Sequence, residues 1–170
     1  MARAKTAPFI VTEVIPVAST TAVQSGILDL SAYVDPGDSQ GVEIMSVDYI
    51  WFNQADNMPA SHSAAFRAVA QLKDNTNGNL ISYDNIHIVS SGSIYFDADN
   101  VVSNASDVYP DILYLSREGG RVTVNDSMEI CVKSSVSVAN LACAVRVQMR
   151  VIGLTKRDYM TLALQTVSDN

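Results

Sequence analysis

Charge is scarce in this chain. Asp, Glu, Lys and Arg make up 17% of its 170 residues, against roughly a quarter in an ordinary soluble domain. Hydrophobic residues reach 48%, so either a large core or neighbouring molecules must cover much of what would otherwise face water. Basic residues are fewer than acidic ones, giving a formal net charge of −7, and only Arg3 and Lys5 are charged within the first ten residues. Phosphate-backbone affinity needs several Lys and Arg acting together, so direct nucleic-acid binding is not expected. No apolar run approaches the ~20 residues of a membrane-spanning helix. The apolar stretch over residues 9–17 is broken by Thr12 and Glu13, so it does not read as a signal peptide.

The groups that carry chemistry are equally sparse. The two histidines, His62 in a polar loop and His87 between Ile86 and Ile88, have no Gly-x-Ser-x-Gly elbow with them. His87 is expected to be a strand residue pointing away from the core. No Gly-x-Gly-x-x-Gly or P-loop occurs, and two cysteines with two isolated histidines do not make a zinc pattern. Asp97, Asp99, Asn100, Asp107 and Asp111 could offer oxygens to calcium, but their spacing is not that of an EF-hand and such residues gather in loops for turn reasons. The expectation is therefore a non-enzymatic protein without a cofactor. Cys131 and Cys143 occupy consecutive predicted strands, and matching the apolar faces of those strands sends the thiols to opposite sides, so both are expected to be reduced.

What the chain does contain is alternation. Over residues 141–152 Leu141, Cys143, Val145, Val147, Met149 and Val151 lie on one face, and Ala142, Ala144, Arg146, Gln148, Arg150 and Ile152 on the other. A period of two is the mark of a strand with one buried and one wet face. Residues 9–17, 23–30, 42–52, 64–73, 80–89, 93–96, 112–116, 121–124 and 128–133 read as further strands. Met45, Val47, Tyr49 and Trp51 share one face of the third. Asn77-Gly78 is expected to close a hairpin between residues 64–73 and 80–89, with Gly119-Gly120 at a second tight turn. Residues 53–63 and 97–111 are the two long loops. One helix follows, with Thr155 as its cap, Asp158 in the first turn, and Tyr159, Leu162, Ala163 and Thr166 on one face.

The fold class is therefore all-β, an antiparallel β-sandwich of the jelly-roll type with about eight to ten strands and one C-terminal helix. Residues 1–8 form a flexible arm, 9–154 the sandwich, and 155–170 the helix and tail.

This architecture, with Val151-Ile152-Gly153-Leu154 leading into the closing helix through Arg150-Val-Ile-Gly-Leu-Thr-Lys-Arg-Asp-Tyr159, resembles the single jelly-roll major capsid proteins of tailless icosahedral viruses that enclose a membrane. The resemblance implies a structural virion protein assembled in the host cytoplasm. It would contact copies of itself, other capsid proteins and an inner viral membrane, with the genome left to other components. A phage decoration or tail-associated protein and a ligand-binding sandwich are the alternative classes. Arg146, Arg150, Lys156 and Arg157 place four of the eleven basic residues in one short stretch of an acidic chain. With Gln148, they are the expected contact with an acidic neighbouring subunit.

Overall fold

The thirteen-residue strand Leu141–Gly153 lies at the centre of one of two sheets, with Leu141, Cys143, Val145, Val147, Met149 and Val151 all buried as their alternation requires. The computed structural model describes residues 3–17, 21–60, 65–97, 102–108 and 120–167. Within them are β1 (Arg3–Ala4), β2 (Phe9–Pro16), β3 (Gln24–Asp29), β4 (Gln40–Asn53), β5 (Phe66–Lys73), β6 (Ile88–Phe96), β7 (Val102–Val108), β8 (Arg121–Thr123), β9 (Ser127–Ser134), β10 (Leu141–Gly153) and α1 (Lys156–Val167).

All pairings are antiparallel. One sheet runs β1-β10-β4-β8, with β2 also on β10, and the other runs β3-β9-β5-β6-β7. Setting aside the two-residue β1 and the edge strand β7, eight strands remain. They pair first with last (β2 with β10), second with seventh (β3 with β9), third with sixth (β4 with β8) and fourth with fifth (β5 with β6). That nesting is the strand order of a jelly roll. The two sheets enclose a core that includes Trp51, Phe66, Phe96, Leu72, Ile130 and Met149.

Tyr49 of β4 reaches across this core to β6, where Gly92 leaves room for it. A Cβ on residue 92 would lie 2.4 Å from Tyr49 Cδ2. Gly92→Ala is therefore expected to destabilise the fold by about 1–3 kcal/mol through overpacking, read as a lowered denaturation midpoint at unchanged slope.

Several expectations change. Met45 does not share the face of Val47, Tyr49 and Trp51. The register between β4 and β10 steps from Ser46 opposite Gln148 to Ile44 opposite Met149, which leaves Met45 as the extra residue of a bulge. The hairpin partner of β5 is Ile88–Phe96, so the strand expected over residues 80–89 is mostly loop, and residues 93–96 are the second half of β6. A fourteen-residue loop, 74–87, replaces the two-residue Asn-Gly turn. It stays out of the sheet because side chains satisfy its backbone. The Gln71 amide donates to Ile81 O and accepts from Ile81 N, both at 2.9 Å, as a neighbouring strand would. β7 lies inside the region expected to be a loop over residues 97–111, recruited by pairing with β6 despite a polar sequence. The strand expected at 112–116, as well as Gly119, Asp99, Asn100, Asp111 and His62, lie outside the described residues.

The arm is anchored over residues 3–6. Arg3 and Ala4 pair with Gly153 and Ile152, Lys5 N donates to Val151 O at 2.8 Å, and Val151 N donates to Thr6 Oγ1 at 3.0 Å. Both cysteines are free, as expected, and both are buried, Cys131 included although its side of the strand was expected to be polar. The route to that result was different, because their strands belong to different sheets. Cys143 lies in the core between the sheets, and burial pushes its thiol pKa far up.

Candidate functional site

Register on β10 defines the outer face of its sheet row by row. Pro16, Ala142 and Phe52 share the first row, Val14, Ala144 and Ile50 the second, Thr12, Arg146 and Asp48 the third, and Ile10, Gln148 and Ser46 the fourth. The first two rows are wholly apolar; Val14 and Ile50 keep 41% and 42% of their surface exposed and Pro16 is exposed, whereas Phe52 and Ala144 are half-buried and Ala142 is fully buried. Cross-strand neighbours at this spacing touch, so the two rows form one continuous patch instead of scattered single residues. Beside the patch, Arg146 stands next to an acid, Asp48, in the same row.

The five residues singled out from the sequence are therefore divided. Arg146 and Gln148 share the outer face with the patch, and Gln148 accepts a hydrogen bond from Ser46 Oγ at 3.1 Å. Arg150 continues the same side of β10, but its acidic partner is in the same chain. Its Nε lies 2.5 Å from Oε2 of Glu43, a carboxylate with only 4% of its side chain exposed. Lys156 and Arg157 are exposed in the first turn of α1. Thr155 caps that turn, accepting from Asp158 N at 3.2 Å. Tyr159, Leu162 and Ala163 are half-buried, while Met160 and Leu164, one turn apart, are 60% and 65% exposed.

On the opposite sheet the 74–87 loop covers a buried polar group that the sequence reading missed. Lys73 and Glu129 project from the outer side of β5 and β9, where alternation would send them to water, yet their side chains are 0% and 5% exposed and 2.8 Å apart. Glu129 also accepts from Asn77 N at 2.9 Å and from Gly78 N at 3.0 Å. Burial raises the pKa of this carboxyl, but the Lys73 hydrogen bond and charge and the two loop amides outweigh it and hold the value below 4.5. Cys131 sits on the same side of β9, and its thiol pKa is raised, chiefly by burial. Polar positions on an outer sheet face, here Gln71, Lys73 and Glu129, ordinarily meet water, so the alternation gave no signal of a covering loop.

The far end of that loop is fixed by a second cluster. His87 is buried just before β6, so it is not the outward strand residue expected, because the loop folds over it. Its Nδ1 lies 2.7 Å from Asp74 Oδ1. Arg121 Nη2 meets Asp74 Oδ2 at 2.7 Å, and the same guanidinium donates to Ile86 O and Ile88 O. A fork-shaped cation with three oxygens at these distances is a structural clamp. A cleft of about 490 Å³ opens beside it, between α1, β8 and the loop, lined among others by His87, Arg121, Val122, Leu154, Asp158 and Leu162. Among the described residues no group of three or more His, Cys, Asp or Glu could hold a metal ion, and Asp97 is the one member of the proposed calcium set whose side chain is described.

No protein-family model matches the chain, and no curated protein matches it.

Proposed function

We propose that this chain is a structural virion protein, a self-assembling capsid subunit. The observation that carries the reading is the apolar surface of Val14, Pro16 and Ile50, exposed on the outer face of a jelly-roll sheet in a chain with little charge. Exposed apolar area of this kind is stabilised when a neighbour covers it, and a closed symmetric shell covers it on every copy. Arg146 and Asp48 sit beside the patch with opposite signs, so the same face on a second copy can be complementary to it. Lys156 and Arg157 offer a separate cationic contact to an acidic neighbour.

Other capsid proteins and an inner viral membrane are the further partners in this reading, and no catalytic step is part of it. The experiment is assembly of the purified full chain, followed by sedimentation and negative-stain imaging across salt and pH. Ordered particles support the reading, and a persistent monomer overturns it. The cleft beside α1 favours a ligand-binding module as the second reading, and glycan-array binding by a protein that never assembles would select it.

A further inference from the structure

We propose that Lys73 and Asn77 become joined by an intramolecular isopeptide bond, with Glu129 as the proton carrier. The Lys73 side chain is among the largest fully buried ones, and its Nζ meets three oxygens, Asn77 Oδ1 in a contact closer than an ordinary hydrogen bond, Asn79 O at 2.6 Å and Glu129 Oε2 at 2.8 Å. This amine meets the Asn77 side-chain amide at its oxygen, one bond from the electrophilic carbon. Asn79 N donates to the same Asn77 Oδ1 at 3.0 Å, which polarises that carbonyl and sits where charge develops as the carbon is attacked. Glu129 is held by the amides of Asn77 and Gly78, so its carboxylate cannot drift from the pair. Nucleophile, electrophile, polarising donor and proton carrier are fixed together with water excluded around the amine, the arrangement that makes an otherwise slow amide exchange fast.

The resting pair is ammonium and carboxylate. Glu129 takes one proton from Nζ, and the neutral amine attacks Asn77 Cγ, forming the Nζ–Cγ bond while the carbonyl electron pair moves onto Oδ1. On collapse the Cγ–Nδ2 bond breaks, Glu129 returns its proton to Nδ2, and it takes the second Nζ proton as the new amide forms. Ammonia leaves, and nothing is oxidised or reduced. Asn77 lies on the exposed side of the loop, which gives the ammonia a path out. The bond closes the base of the 74–87 loop onto β5 and removes a buried charge.

Asn-Gly pairs can also lose ammonia when the glycine nitrogen attacks to give a succinimide. Here Gly78 N is engaged by both oxygens of Glu129, at 3.1 and 3.0 Å. Intact-mass and tryptic-peptide analysis of the full chain separates the two. The wild type is expected to be lighter than its sequence by one ammonia and to resist trypsin after Lys73, while Lys73→Arg, Asn77→Ala and Glu129→Gln each regain the full mass. A wild type of full mass, or cleavage after Lys73, overturns the proposal. So does ammonia loss that persists in Lys73→Arg, which would identify the succinimide, and persistence in Glu129→Gln would remove Glu129 from the chemistry.

Discussion

Glu129→Ala is expected to cost about 3–5 kcal/mol of folding stability, because without this carboxylate Lys73 keeps its proton and stays as a buried ammonium with no counter-charge, the loss typical of stranding one member of a buried ion pair. Lys73 has no exposed side-chain surface through which to recover hydration. The carboxylate also accepts from two amides of the 74–87 loop, so its removal releases the loop tip as well as the charge. Chemical denaturation reads the loss directly. The double variant Lys73→Met with Glu129→Leu provides the contrast, because replacing both charges by apolar groups is often neutral or better. A single variant within about 0.5 kcal/mol of wild type, the range of ordinary surface substitutions, would mean that water reaches the pair.

The second large effect concerns association. Ile50→Asp places a carboxylate in the second row of the outer patch, next to Ala144 and in the row beside Asp48. Because residue 50 is 42% exposed and outside the core between the sheets, the fold itself should lose only about 1 kcal/mol, the span of strand propensity. Assembly should be lost, since a desolvated, unpaired charge at the centre of an interface costs several kcal/mol at every copy. Circular dichroism would show an intact sandwich while sedimentation shows a monomer. Retained assembly in Ile50→Asp would place the subunit contact elsewhere, with Lys156 and Arg157 the next surface to alter.

How far the sequence could be read depended on what held each segment. The inward face of β10 was legible because six residues alternate without interruption, whereas Ala142 and Ile152, on the face expected to be wet, are buried; the cap of α1 was legible because Thr155 and Asp158 act within one turn. The nesting of eight strands is set by contacts distant in sequence, and alternation alone does not order them. Met45 shows the limit at small scale, since a bulge is one added residue that pairing reveals and composition does not. The Asn77-Gly78 pair was read as a hairpin on sound local chemistry. Gly78 does have the positive φ that reading required, at 71°, but it sits at the tip of a loop whose backbone is held by Glu129 and Gln71 instead of by a partner strand. The polar cluster beneath that loop was missed for the same reason. Lys73 and Glu129 occupy positions that face water in a two-layer sandwich, and only a third layer, the loop itself, buries them. For the proposed assembly surface, Arg146 and Gln148 were found from their side of β10, whereas the apolar rows need the register of β2 and β4 against it.

Sedimentation velocity of the purified full chain over rising concentration decides whether copies of this chain build a shell. A capsid subunit should run as a monomer at low concentration and give way to discrete large particles, with few species between, as copies cover their apolar surface in a closed shell. A single monomer boundary at every concentration, salt and pH would contradict it.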